Sequence, residues 1–93
     1  MKVNVTCFDK YEAQKLAALV FNKESKETFI TKILNVFDNE LVVALKDKSA
    51  HSVVLKDSRN VEAFADFIQS VLEKDHKIVK MRVVEDKVEI TKV

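Results

Sequence analysis

The sequence predicts an α+β fold: two tandem β-α-β-β units giving a mainly antiparallel sheet of about six strands, with two helices packed on one face. Three observations lead there. Segments with apolar residues at every second position, the period of a strand, alternate with two segments whose apolar residues recur every three or four, the period of a helix. NVFDNELVV (35–43) and VVEDKVEI (83–90) each read as valines, an acidic turn and more alternating apolar residues, so a hairpin is written twice. Each helical segment has one apolar stripe, and two such stripes are satisfied together on one side of a sheet.

Residues 2–8, KVNVTCF, place Val3, Val5 and Cys7 on one face and read as a strand. Asp9 followed by Glu12 resembles a capping box, in which an acidic cap accepts backbone N–H bonds at a helix start. Ala13, Leu16, Ala17, Val20 and Phe21 then form the core stripe of a helix over 10–23, with Tyr11 and Leu19 off that stripe. After the polar loop NKESKE, segments 28–37 and 40–46 flank Asp38-Asn39, two residues that tolerate positive φ.

The plan then repeats. KDKSAH is a short polar reversal, and HSVVLKD is a strand with Val53 and Leu55 on one face. Ser58 or Asn60 is expected to cap a helix striped by Phe64, Phe67, Ile68, Val71 and Leu72. KIVKMRVVEDKVEITKV closes the chain as a second hairpin. Its inner face is Val79, Met81, Val83, Val88 and Ile90, and its outer face Lys80, Arg82, Lys87, Glu89 and Thr91.

Laying Asp38-Asn39 over Glu85-Asp86 pairs Val36 with Val83, Leu34 with Met81, Leu41 with Val88 and Val43 with Ile90. The helices overlay as Leu16 on Phe67, Ala17 on Ile68 and Val20 on Val71. The expected organisation is one domain, 1–93, with unit one at 1–47 and unit two at 51–93.

Composition narrows the function classes. With 47% hydrophobic and 33% charged residues and a net charge of +1, the chain is globular and too balanced to suggest a generic nucleic-acid or membrane binder. No apolar run approaches the roughly 20 residues of a spanning helix. The first residues lack the pattern of a signal peptide, and a single cysteine fits a reducing, cytoplasmic setting. Glycine and proline are both absent. Phosphate-cradling loops, dinucleotide fingerprints and nucleophile elbows all need glycine, so none is encoded here. Fourteen lysines against two arginines point to an A+T-rich genome, which suits an accessory protein of a phage or mobile element.

Cys7, His51 and His76 are the chemically active candidates, and their spacing matches no metal or nucleophile–base motif. Cys7 is expected to be a buried small hydrophobe, and His51 and His76 solvated turn residues. Neither a cofactor, a metal site nor an enzymatic activity is expected. Interest falls on the first hairpin, which is apolar on both faces. Ile30, Leu34, Val36, Leu41, Val43 and Leu45 are assigned to the helix side, leaving Phe29, Ile33, Phe37 and Val42 outward. Those four are the expected contact residues of a protein-binding module that docks a second copy or another protein. The alternative is single-stranded nucleic acid on the same open face, with Phe29 and Phe37 stacking bases and Lys46, Lys80, Arg82 and Lys87 meeting phosphates.

Overall fold

Asp9 opens the first helix as expected: its carboxylate accepts the Glu12 N–H at 2.8 Å. The computed structural model describes residues 2–74 and 77–92, with Lys74 by its backbone alone. The elements run β1 (Lys2–Thr6), α1 (Lys10–Val20), β2 (Ile30–Phe37), β3 (Glu40–Leu45), β4 (Ala50–Val54), α2 (Ser58–Lys74), β5 (Ile78–Val84) and β6 (Lys87–Lys92). His76, expected in a loop, lies outside the described residues.

Helix α1 stops short of the expected residue 23 because Phe21 is extended and the Asn22 side chain turns the chain by accepting the Glu24 N–H at 2.9 Å. Helix α2 is capped by neither Ser58 nor Asn60 but by Asp57, whose Oδ1 accepts the N–H groups of Arg59 and Asn60 at 3.0 and 3.2 Å. Those bonds, the one from Asn60 foremost, hold the Asp57 carboxyl below the usual carboxylate range.

Mixed α+β architecture is present, but the single six-stranded sheet and the tandem arrangement are not. Six antiparallel strands form two sheets of three, ordered β1-β6-β5 and β2-β3-β4. Each hairpin takes its third strand from the other half of the chain: β4 pairs β3, and β1 pairs β6. The helices cross over too, α1 packing on β4, β5 and β6 and α2 on β1, β2 and β3. The halves are interleaved, so neither could close a core without the other. The buried apolar side chains accordingly form one cluster that includes Leu16, Ile30, Leu41, Phe64, Phe67, Ile78 and Ile90.

The sheets correspond strand for strand, and the ladders show how. Val5 opposite Val88 matches Val53 opposite Leu41, and Val36 opposite Leu41 matches Val83 opposite Val88. The helix overlay needs correction. The two acidic caps align Asp9 with Asp57, which brings Leu16 onto Phe64, Leu19 onto Phe67 and Val20 onto Ile68. All six are buried. Leu19, off the expected stripe, therefore belongs to the core.

Three register shifts in β2 and β5 set the hairpin faces. In β5 the register shifts between Ile78 and Lys80, so Ile78 is buried and Val79, expected inside, is 48% exposed. In β2 one shift, between Ile30 and Lys32, corresponds to that of β5 and keeps Ile30 buried, and another lies between Ile33 and Asn35. Ile33 consequently opposes buried Val43 and packs against the core, while Leu34 is extruded and 45% exposed. The sequence alternation had these two the other way round, because an extra residue inverts the phase of everything on one side of it. The counterpart of Met81 is thus Ile33, and Leu34 has none.

Without glycine, the turns use other residues at positive φ: Lys26 (64°), Asp38 (53°), Lys48 (71°) and Glu85 (57°). Asp38 and Glu85 hold the same first position of the two hairpin loops.

Candidate interaction surface

Cys7 and Leu55 form an antiparallel bridge that joins the two sheets. Around it the Phe8 N–H donates to the Val54 carbonyl at 3.0 Å and the Lys56 N–H to the Thr6 carbonyl at 2.9 Å. The strand ends thus bring Phe8 beside β4. Val53 and Leu55 are buried, so Val54 between them points outward, and Phe8, next to buried Cys7, does the same. Register then carries the row onward, from Val54 to Glu40 and from Glu40 to Phe37.

The result is an apolar strip on the outer face of β2-β3-β4. Phe8 is 60% and Phe37 70% exposed, with half-buried Val54 and Val42 between and behind them and extruded Leu34 beside Val42. Of the expected contact residues, Phe37 and Val42 lie on this strip. Phe29 is exposed at the far end of the sheet, where its carbonyl accepts the Lys46 N–H. Ile33 is turned inward. Phe8, Val54 and Leu34 were missed. Phe8 had a sequence signal, since strand alternation puts it opposite the face of Cys7; Leu34 had none, because bulges are not written in an apolar pattern.

The expected nucleic-acid constellation is divided by the fold. Phe37 lies on β2, with Phe29 and Lys46 just beyond the ends of β2 and β3 and Lys46 paired to Glu27 at 3.4 Å, whereas Lys80, Arg82 and Lys87 stand on the outer face of β1-β6-β5. Arg82 binds Glu89, its Nε at 2.7 Å, and this bond, ahead of the charges of Arg82, Lys2 and Lys80, holds the Glu89 carboxyl below the usual range.

Cys7 is fully buried, as expected. Burial first, then the charges of Glu12, Asp86 and Asp9, push its thiol up to about 12, which keeps it in the protonated form near neutral pH. Glu12 Oε2 is itself buried and accepts no well-aligned hydrogen bond; Lys15 Nζ at 3.0 Å is its counter-charge.

His51 is not the solvated turn residue expected. It lies in β4 opposite Val43, half-buried, with Nε2 2.9 Å from Ser49 Oγ. Ser49 Oγ in turn donates to Asp47. An Asp, a Ser and a His in contact invite comparison with a hydrolytic triad, but the order is wrong. The one hydroxyl proton is committed to Asp47, so His51 must donate to Ser49 rather than take its proton. The serine bond, foremost, also holds Asp47 below the usual carboxylate range, which keeps it an acceptor. These hydrogen bonds tie the turn between β3 and β4.

A cleft of about 260 Å³ lies between the start of β2 and the end of α2, lined by Glu27, Thr28, Ile30, Thr31, Val71 and Leu72 among others. The space under the sheets is filled by Phe64 and Phe67, both fully buried. Among the described residues no three His, Cys, Asp or Glu side chains are grouped to hold a metal ion, and no helix is long and apolar enough to cross a membrane. No protein-family model matches the chain, and no curated protein or solved structure matches it either.

Proposed function

We propose that the protein is a non-enzymatic protein-binding module that docks a second copy of itself through the outer face of β2-β3-β4. The observation that carries this reading is the contrast between corresponding positions of the two sheets. Phe8, Val54 and Phe37 on one side of the Cys7–Leu55 bridge answer to Lys56, Thr6 and Val84 on the other, and Leu34 is an addition to the first side only. One scaffold used twice is apolar on a single outer face. Burying that face removes aromatic and aliphatic surface from water, and large anchors at the centre of a patch dominate such contacts.

A second copy is the occupant the charges favour. The nine outward strand positions of this sheet hold one cation, Lys32, and one anion, Glu40. Lys32 lies opposite Ala44, four residues along β3 from Glu40, which is about 13 Å. A two-fold axis midway between them, beside Val42 and Asn35, would set Lys32 of one copy on Glu40 of the other, twice over. A lone reduced thiol suits a cytoplasmic setting for such a dimer.

The test is Phe37→Glu. A carboxylate buried within the contact is desolvated, which costs about 2 kcal/mol or more, or some thirty-fold in affinity. In the free subunit it stays in water. Loss of self-association with an unchanged circular dichroism spectrum supports the reading; self-association as strong as in the parent protein refutes it.

A further inference from the structure

The outer face of β1-β6-β5 has a chemistry that the docking reading does not use. Its nine outward strand positions are Lys2, Asn4, Thr6, Lys80, Arg82, Val84, Lys87, Glu89 and Thr91, as the register of the two ladders dictates. Four cations face one carboxylate there, a net charge of +3 on a chain whose total is +1. The corresponding positions of the other sheet are neutral overall, so this charge is not imposed by the scaffold. Lys2, Lys80, Arg82, Glu89 and Thr91 line a cleft of about 120 Å³, into which three strands each contribute a polar side chain. Glu89 occupies Arg82 but cannot neutralise Lys2, Lys80 and Lys87 as well.

We propose that this face binds the phosphate backbone of nucleic acid, without regard to base sequence. Successive outward residues on a strand are about 6.8 Å apart and neighbouring strands about 4.8 Å, so the ammonium groups form a two-dimensional array rather than a single point site. An array of cations suits a repeating polyanion, whose bound counterions are released on contact. The face carries no aromatic side chain, so it offers no platform for base stacking. Contacts restricted to phosphates treat single strands and duplexes alike and read no bases. The aromatic strip on the other sheet takes no part, which is where this assignment departs from a base-stacking mode on one shared surface.

Fluorescence polarisation of labelled oligonucleotides, single-stranded and duplex, of unrelated sequences, tests it on the full chain. Binding is expected at low salt for both forms, with log K falling against log[salt] at a slope of roughly −3 for about three free cations on duplex and less steeply on single strands. Lys80→Gln with Lys87→Gln should weaken binding at least ten-fold, and Glu89→Gln should tighten it several-fold by removing the one opposing charge. All three changes are to outward side chains, and circular dichroism checks that the fold persists. Phe37→Glu, which tests the docking reading, should leave duplex binding within about two-fold, so the two proposals fail separately. Absence of binding at low salt, binding unchanged in the lysine variant, strong preference for one sequence, or full displacement by inorganic phosphate at equal phosphate concentration would each overturn the assignment.

Discussion

Cys7 and Leu55 stand opposite each other at the one bridge where β1 and β4 meet, and the bonds on either side match residue for residue. Phe8 donates to Val54 as Lys56 donates to Thr6, while the Cys7 N–H reaches the Asp86 carbonyl as the Leu55 N–H reaches that of Asn39, both at 2.7 Å. This junction makes the two halves of the chain parts of one core, and it sets what each half can do alone.

Neither half should fold by itself. Residues 1–47 hold the β2-β3 hairpin without its third strand β4 and without α2, which covers it. A bare hairpin is marginal in water. Fragments 1–47 and 50–93 should each lack a cooperative melt, and mixing them should restore one at equimolar ratio. A monomeric fragment that melts cooperatively would refute the interleaved core.

The bulge at Leu34 makes a prediction opposite to simple alternation. Ile33→Lys places a charge against the core beside Val43 and should destabilise by about 3 kcal/mol or more, enough to unfold a marginal domain. Leu34→Glu should cost less than about 1 kcal/mol, because the side chain is already largely in water. Urea denaturation of the two variants decides it.

Cys7 links stability to alkaline pH. Its folded pKa, about 12, lies above the ordinary thiol value of 9.0, so between those values the unfolded chain loses the proton first. The thiol's contribution is present in full below pH 9 and is lost as pH rises toward 12. Melts of the parent protein and Cys7→Ala should therefore converge across that window, with the parent losing more. At pH 8 the folded protein should react with a thiol reagent far more slowly than an unfolded control.

Turns built without glycine carry a conformational cost. Lys48 and Glu85 sit at φ of 71° and 57°, where a β-carbon crowds the backbone. Lys48→Gly and Glu85→Gly should each raise stability by about 0.5–1 kcal/mol, net of the entropy glycine adds to the unfolded chain. Asp38→Gly should gain less, since Asp visits this region readily. Thermal midpoints rank the three.

Much of the fold was legible because it rests on periodicity. The alternation of Val3, Val5 and Cys7, the α2 stripe and the two-residue hairpin loops all reappear as read. What could not be read has identifiable causes. Strand exchange between halves depends on which strands pair, and β1 beside β6 turns Val5, with partly buried Val3, to the core as well as any local pairing would. Bulges at Ile78–Lys80 and Ile33–Asn35 add a residue without changing composition. The surface was half legible: alternation exposed Phe37 and Val42, whereas Phe8 joins them only because β1 and β4 meet end to end.

Sedimentation equilibrium over micromolar to millimolar concentrations tests the central claim most directly, using the parent chain, Lys32→Glu, Glu40→Lys and the double exchange. The account predicts a monomer–dimer equilibrium in the parent that high salt barely weakens, loss of dimer in each single variant, and its return when both charges are exchanged. A parent protein that stays monomeric throughout, or single variants that dimerise as well as it does, would contradict it.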